Sequence, residues 1–200
     1  MITWIISHAL SKIHTLLLSI KRGVSIDLSS EVYYKSRIIN HTGRVQVGKS
    51  CKIGTSPKNY HGGMPFPTTL LCDGDRSEIL IGNNCRLNGV YVHAQKRIVI
   101  GDNCVMASGV NIIDSNGHET ISFDRTKGRD FPKEIIIGNN VWIGMNVIVL
   151  KGSVIEDNSI ISAGSVVRGH VSANTIYSTC WMSSTRPIEF KTKETVIQYK

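Results

Sequence analysis

The sequence has few aromatic residues and few hydrophobic ones for a chain of its length. Of its 200 residues, 6% are aromatic and 41% are hydrophobic, which is little for a conventional globular core. Its five cysteines include no CxxC pair, so their spacing indicates neither a metal site nor a disulfide framework. Cysteines used in this way predict a reducing, cytoplasmic setting.

Long apolar runs and dense basic runs are also missing. No stretch reaches the roughly eighteen uninterrupted apolar residues of a membrane span, and the amino terminus lacks the marks of a secretory signal. The net charge is +8, yet the Lys and Arg residues are scattered and are not interleaved with aromatic residues. This distribution argues against nucleic acid and is compatible with anionic lipid or a phosphorylated ligand.

What the sequence does contain is a repeat with a period of six. Aliphatic residues recur at that interval in the carboxy-terminal half: Ile137, Ile143, Val149, Ile155, Ile161 and Val167. A small or β-branched residue follows each by four positions: Val141, Val147, Ser153, Ser159, Ser165 and Val171. A helix would return at three and four, and a two-sided strand would simply alternate, so neither fits. The period predicts an all-β solenoid, a parallel β-helix with three six-residue faces in each coil.

Related five-residue segments mark the coils further upstream. Their starts are spaced by 19, 37 and 18 residues, at Ile81, Ile100, Ile137 and Ile155. The fourth residue of each is an asparagine, which tolerates the positive φ of a tight turn: Asn84, Asn103, Asn140 and Asn158. Three cysteines take the small inward position and are predicted to be buried: Cys51, Cys85 and Cys104. The alternative fold, a β-sandwich, would space its turns irregularly.

The chain is expected to form one domain with appendages. Residues 1–23 predict an amphipathic helix, residues 24–176 the β-helix, and residues 177–200 a carboxy-terminal tail. The repeat is interrupted over 55–78 and 115–134, which predicts two loops that leave a rigid scaffold and carry function. The helix is expected to cap the open end of the solenoid, and the competing interpretation places it on a membrane surface.

A histidine stands close to the beginning of the second loop. His118 lies beside Glu119, and Asp114 precedes it by four positions. A histidine at a loop mouth can act as a general base near neutral pH, with a carboxylate or carbonyl fixing its tautomer. His118 and Asp114 are therefore candidate catalytic residues.

Three segments resemble the hexapeptide-repeat acyltransferases: GHE at 117–119, IGNNVWIG at 137–144 and SAGSVV at 162–167. The interval of 24 residues from His118 to Trp142 is similar to that in galactoside and maltose O-acetyltransferases. It is also similar to that in capsular and surface-polysaccharide O-acetyltransferases, such as those acting on polysialic acid. The resemblance implies a left-handed coil, an acetyl-CoA donor, a sugar hydroxyl as acceptor, no metal, and a homotrimer with sites between neighbours.

The resemblance also implies roles for individual residues. His118 would take the proton of the acceptor hydroxyl, while Trp142 would stabilise the developing oxyanion through its indole N–H or support a ligand with its ring. Asn88 falls where the sugar acetyltransferases have an acceptor-binding asparagine. Acetyl-CoA would be held by Gly144, Met145, Ala163, Gly164 and Arg168, and in the divergent tail Trp181 or Arg186 would replace the family's adenine and phosphate contacts. On successive coils, His118 and Trp142 are expected within a few ångströms of each other.

Two other functions stay open. A xenobiotic or antibiotic acetyltransferase would also carry a histidine in a loop, and a solenoid without catalytic activity would serve as a binding platform. A carbonic anhydrase on this scaffold is rejected because Phe123 stands where a second histidine would be needed. A nucleotidyltransferase is rejected because no Gly-rich phosphate loop precedes the repeat. The tail departs from the family pattern, since it reads YSTCWMSSTRP over 177–187.

Overall fold

The structure is a computed structural model of a parallel β-helix preceded by one α-helix. It describes residues 2–56, 60, 62–120, 124, 126–179 and 184–187, with the backbone alone for residues 2, 3 and 184–187. Short strands stack into three sheets, which form the three faces of the solenoid. The all-β solenoid predicted from the period of six is confirmed.

Each face collects every third strand of the chain. The first face contains β1 Val24–Ile26, β4 Arg44–Val47, β7 Glu78–Ile81, β10 Arg97–Ile100, β13 Ile135–Ile137, β16 Val154–Ile155 and β19 His170–Val171. The second face contains β2 Glu31–Val32, β5 Lys52–Ile53, β8 Arg86–Leu87, β11 Val105–Met106, β14 Trp142–Ile143, β17 Ile160–Ile161, β20 Thr175–Ser178 and β21 Ser184–Pro187. The third face contains β3 Arg37–Asn40, β6 Thr69–Cys72, β9 Tyr91–Ala94, β12 Asn111–Ile113, β15 Ile148–Leu150 and β18 Val166–Val167.

The strands of successive coils pair in parallel with identical positions in register. Ile137, for example, pairs with Ile100 on one side and with Ile155 on the other. The last pair, β20 and β21, runs antiparallel. Stacking in register places each inward side chain directly above its counterpart, so the core is a continuous column and not a central cluster.

The predicted inward residues fill this column. All six aliphatic positions of the carboxy-terminal repeat are at most 1% exposed, and the small residues that follow them are at most 2% exposed. The three cysteines Cys51, Cys85 and Cys104 are also buried, as predicted. Each buried Ile or Val contributes about 1.5 to 3 kcal/mol from removal of apolar surface from water, so the column is the main source of stability.

Asparagines form the turns between the first and second faces. Asn84, Asn103, Asn140 and Asn158 all have positive φ values, between 54° and 59°, as the sequence predicts. Their side-chain amides also bond from coil to coil, with 2.8 Å from Asn84 Nδ2 to Asn103 Oδ1 and 3.0 Å from Asn140 Nδ2 to Asn158 Oδ1. The same residue type therefore makes the turn and links it to the next coil.

The helix α1, Ile2–Ser19, lies against β1 and β2 with its polar side inward. Ser11, Thr15 and Leu18 are its buried side chains. Thr15 Oγ1 accepts a hydrogen bond of 2.8 Å from the N–H of Val32, and Ser11 Oγ one of 3.3 Å from the N–H of Tyr34. Because β2 is the edge strand of its face, these N–H groups need acceptors from outside the sheet, and the hydroxyl groups supply them.

The apolar side of α1 faces outward, so the helix contacts the first coil through its polar side. Its exposed apolar side chains are Trp4, Ile5, Ile6, Leu10, Ile13, Leu16, Leu17 and Ile20. In the described part of the chain, no helix is long and apolar enough to cross a bilayer.

Two loops leave the coil. The first joins β5 to β6 and therefore ends before Thr69, so the loop expected over 55–78 is too long: Thr69–Cys72 is a regular strand of the third face. The second joins β12 to β13 across 114–134, close to the expected 115–134. The error arose because the turn after Thr69–Cys72, residues 73–77, has no IGNN segment, and the first such segment of the chain begins only at Ile81.

Candidate active site

Two edges of the solenoid organise the candidate residues. The His118 edge consists of the turns from the third to the first face: residues 73–77, 95–96, 114–134, 151–153 and 168–169. The Gly144 edge consists of the turns from the second to the third face: residues 54–68, 88–90, 107–110, 144–147 and 162–165. The two edges border the third face, whose strands of two to four residues separate them by roughly 7 to 13 Å.

His118 lies at an open polar cavity on its edge. The cavity has a volume of about 450 Å³ and is lined by Asp73, Gln95, Gly117, His118, Thr126, Gly128 and Arg129. The His118 side chain is exposed and forms no hydrogen bond with another described residue. Its preceding Gly117 has a φ of 77°, a value that favours glycine and turns the chain toward the cavity. The imidazole is therefore available to accept a proton from a ligand.

Asp130 fastens the second loop to the coil. Its carboxylate accepts hydrogen bonds from Ser115 Oγ at 2.5 Å and from the N–H of Asn116 at 2.7 Å, and pairs with Lys151 Nζ at 2.5 Å. Burial alone would raise the pKa of Asp130, but the hydrogen bonds from Lys151, Ser115 and Asn116 outweigh it and lower this pKa to about 2. These three contacts of Asp130, which we call the Asp130 clamp, hold the segment immediately before His118.

Asp114 has a different role from the one expected of it. It is fully buried, and its two oxygens accept hydrogen bonds of 2.8 Å from the N–H groups of Gln95, Lys96 and Arg97. Burial raises the pKa of Asp114, although the three backbone hydrogen bonds oppose the shift. Because these bonds occupy both oxygens, Asp114 supports the turn below the cavity and does not orient the His118 ring.

The structure adds residues that the sequence did not single out. Asp73 lines the His118 cavity. Its side chain is hydrogen-bonded to His93, with 2.8 Å between Asp73 Oδ1 and His93 Nε2. Gln95 and Arg129 line the same cavity. Gln95 belongs to the turn one coil before the second loop and Asp73 to the turn two coils before it, which a coil-by-coil alignment of the upstream repeats would have revealed.

Trp142 and the predicted acetyl-CoA residues lie elsewhere. Trp142 begins β14 on the second face and is 55% exposed, between Val105 and Ile160 of the neighbouring coils. Asn88 lies on the Gly144 edge, immediately after β8. In a single chain, Trp142 is therefore on the face opposite the His118 edge, and the expectation that the two residues approach within a few ångströms is wrong.

Gly144, Met145, Ala163 and Gly164 come together on the Gly144 edge. The N–H of Gly164 donates to the carbonyl of Met145 at 2.8 Å, and a Cβ on Gly144 would lie 2.7 Å from the backbone nitrogen of Ala163. The backbone N–H groups of Met145 and Ala163 donate no hydrogen bond to another described residue. Such exposed amides are suited to the carbonyl groups of a pantetheine arm.

The two predicted phosphate-binding arginines are not on that edge. Arg168 is exposed and lies on the His118 edge, after β18. The backbone of Arg186 pairs with Ile176 in the antiparallel strand pair, while its side chain lies outside the described residues, as does Trp181. Across the described ranges, no cluster of His, Cys, Asp and Glu side chains could hold a metal ion.

Residues 134–169 match the family model "Bacterial transferase hexapeptide (six repeats)". The putative lipopolysaccharide biosynthesis O-acetyl transferase WbbJ of Escherichia coli is 31% identical over 159 residues, covering 74% of this chain and 78% of that protein. The chain belongs to the hexapeptide-repeat acetyltransferase family.

Other family members match over shorter segments. The galactoside O-acetyltransferase of Escherichia coli is 37% identical over 101 residues, 50% of this chain and 49% of that enzyme. The polysialic acid O-acetyltransferase of Neisseria meningitidis is 30% identical over 128 residues, 58% of this chain and 59% of that enzyme. The matched segments thus span about half of these two relatives.

A solved structure shares the fold at low sequence identity. The hexapeptide transferase family protein of Anaplasma phagocytophilum is 20% identical, with a TM-score of 0.56, covering 87% of this chain and 82% of that chain. The left-handed parallel β-helix expected from the resemblance is the fold of this hexapeptide-repeat family, and that expectation is confirmed.

Proposed function

We propose that this protein is an O-acetyltransferase that moves an acetyl group from acetyl-CoA to a hydroxyl group of a sugar or a bacterial surface polysaccharide. Family membership supports acetyl transfer, and three relatives are named for galactoside, lipopolysaccharide and polysialic acid acceptors. The observation that carries the proposal is His118, an exposed imidazole at an open polar cavity that forms no hydrogen bond with another of the described residues.

The reaction needs a proton acceptor and an oxyanion donor. His118 takes the proton of the acceptor hydroxyl as its oxygen attacks the thioester carbonyl. The carbon–sulfur bond then breaks, the ester forms, and the coenzyme A thiolate receives the proton back from His118. The Trp142 indole N–H serves as donor to the oxyanion that develops on the carbonyl oxygen. No metal is required by these steps.

The Gly144 edge is the proposed place of acetyl-CoA. The free N–H groups of Met145 and Ala163 would hold the amide carbonyls of the pantetheine arm, and Gly144 and Gly164 leave it room to approach the backbone. Arg168, which lies on the His118 edge of its own chain, would contact the phosphates from a neighbouring copy, and Arg186 would contact them from the tail, since guanidinium groups bind phosphate in bidentate fashion. Asn88, on the same edge, is assigned to the acceptor sugar.

A homotrimer would bring His118 of one copy close to Trp142 of its neighbour. His118 and Trp142 lie on opposite sides of a single chain, so a site that uses both requires the His118 edge of one copy beside the second face of its neighbour. Ile148 and Val166, neighbours in register on the third face, are 36% and 41% exposed and provide apolar surface for such packing. Closed cyclic symmetry would repeat the site at each interface.

The proposed location is the cytoplasm, peripheral at the inner face of the membrane. Residues 1–22 contain no acidic residue and carry Lys12, Lys21 and Arg22. The outward apolar side of α1 would enter the headgroup region while these cations meet lipid phosphates.

An assay of acetyl transfer tests the proposed activity. Purified protein is incubated with acetyl-CoA and a panel of neutral and acidic oligosaccharides, and thiol release is followed together with the mass of each oligosaccharide. A gain of one acetyl group on a sugar, with equal thiol release, is the expected result. Transfer to macrolides or other antibiotics without transfer to any sugar would favour the xenobiotic alternative, and absence of coenzyme A binding would favour a binding platform.

A further inference from the structure

A cleft lies between α1 and the second face, next to Asn88. Its volume is about 300 Å³, within the range of small-molecule sites. Its lining comes from α1, from the outward side chains of the first coils and from the first loop: Trp4, Ser7, His8, Glu31, Tyr33, Lys52, Gly54, Thr55, Ser56, Tyr60, Arg86 and Asn88. We call it the α1 cleft.

The charge of the α1 cleft is positive. Lys52 and Arg86 are directly opposite each other in register on β5 and β8, and both are exposed. Neither forms a salt bridge with another described residue. The acidic lining residue Glu31 is already paired with His8, with 2.9 Å between Oε2 and Nδ1. Glu31 is the other neighbour of Lys52 in register, but its carboxylate pairs with His8, so two adjacent cations face the cleft without a salt bridge among the described residues.

The remaining lining is of the kind that binds sugars. The rings of Trp4 and His8 are stacked, with centroids 5.6 Å apart and an interplanar angle of 2°, and the flat pair lies beside the cleft. Hydroxyl groups of Ser7, Thr55 and Ser56 surround it. A flat aromatic surface combined with several hydroxyl groups matches the apolar face and hydroxyl rim of a sugar ring.

We propose that the α1 cleft binds an anionic unit of the acceptor, with Lys52 and Arg86 holding its carboxylate or phosphate. This inference rests on the proposed function, since Asn88 joins the cleft to the assigned acceptor site. The preferred acceptor is thus an acidic glycan and not a neutral one. Paired cations favour a bound anion through charge-assisted hydrogen bonds, which guanidinium forms in pairs.

Matched acceptors test the proposal. The acetyl acceptors are an oligogalacturonate, the same oligosaccharide after reduction of its carboxyl groups, and a hexose phosphate as a separate source of negative charge. Wild-type protein is expected to have a KM for one or both anionic acceptors about ten- to a hundredfold below that for the reduced one, as expected for a charge-assisted pair. The Lys52→Met and Arg86→Met double variant should lose this preference and leave the KM of the neutral acceptor unchanged.

A control and a binding measurement separate the outcomes. Lys49→Met removes an exposed cation outside the cleft and should keep the preference of the wild type. If no sugar is acetylated, the proposed function fails, and calorimetric titration of the same three compounds still tests the cleft. Equal KM values or equal binding for acidic and reduced compounds, or an equal loss for both in the double variant, would overturn the proposal.

Discussion

The two edges of the solenoid differ in what they offer to a reaction. The His118 edge has an imidazole with no partner among the described residues, a loop fastened by Asp130, and the cation Arg168. The Gly144 edge has two backbone N–H groups that donate to no other residue in the described ranges, and beside it lie Trp142 and the α1 cleft. In the proposed mechanism, the His118 edge supplies the base, while the second face and the Gly144 edge supply the oxyanion donor and the binding surface. We therefore propose that a single chain carries two halves of a site.

Removal of the imidazole should have the largest effect. His118→Ala is expected to lower turnover about a hundredfold to ten-thousandfold, the range for loss of a general base. Its melting temperature should stay close to that of the wild type, because His118 lies outside the buried column. Steady-state kinetics and a thermal scan measure the two quantities. His41→Ala, a change of another exposed histidine, is the control and should keep full turnover. Wild-type turnover in His118→Ala would remove the base assignment.

Loss of the indole N–H should have the next largest effect. Trp142→Phe keeps an aromatic ring on the second face and is expected to lower kcat about a hundredfold, the lower end for loss of an oxyanion donor. The KM values should change little if the N–H acts in the transition state. A raised KM with unchanged kcat would instead assign Trp142 to ligand binding, which full kinetics with both substrates would detect.

The Asp130 clamp should matter less for turnover. Asp130→Asn is expected to lower kcat by no more than about tenfold, because it loosens the segment that carries His118 without removing a reacting group. In the His118→Ala background the same change should have no further effect on turnover, since Asp130 acts through His118. The control is Glu156→Gln, which removes another ion-paired carboxylate at the far end of the coil. An equal loss in both backgrounds would show a role independent of His118.

The acid sensitivity of the clamp has a definite sign. The pKa of Asp130 is lowered to about 2 from 3.8, so its stabilising effect is present above the higher value and disappears as the pH falls through about 2. The difference in melting temperature between wild type and Asp130→Asn should therefore be constant above about pH 4 and vanish in stronger acid. A difference that grew as the pH fell would contradict the clamp.

A substitution in the buried column of inward side chains should have the smallest effect on turnover and a large effect on stability. Ile143, one residue after Trp142, is fully buried. Ile143→Ala is expected to reduce the free energy of unfolding by about 2 to 5 kcal/mol, measured by denaturant titration. Trp142→Ala, which changes the exposed side chain next to Ile143, should reduce the free energy of unfolding by about 0.5 kcal/mol or less. Similar losses for both would contradict the separation of stability from function along β14.

The solenoid was predictable because its determinants are local. Each coil repeats the same inward aliphatic and the same asparagine turn, so the period of six is enough to place Ile137, Ile155 and their neighbours in the column. The packing of α1 was not predictable from its apolar pattern. Its Ser and Thr residues satisfy the N–H groups of an edge strand, a requirement set by the coil and absent from the helix sequence itself.

The resemblance named candidate residues and not their arrangement. It gave His118 and Trp142 as candidates, but only the assignment of each residue to a face or an edge separates them in space. Asp114 was misassigned because proximity in sequence to His118 does not reveal that its oxygens serve the turn at 95–97. Asp73 was missed because its partner His93 lies one coil away, which no short motif contains.

Complementation between two inactive variants tests the central claim, that each site combines the His118 edge of one copy with the second face of another. Chains with His118→Ala and chains with Trp142→Ala are co-expressed with different tags, and assemblies containing both are isolated and assayed. In a closed trimer that contains both variants, one interface in about every three receives an intact His118 and an intact Trp142 from adjacent copies. The account therefore predicts that the isolated mixed assemblies recover about a third of the wild-type activity. Mixed assemblies as inactive as either variant alone would contradict it.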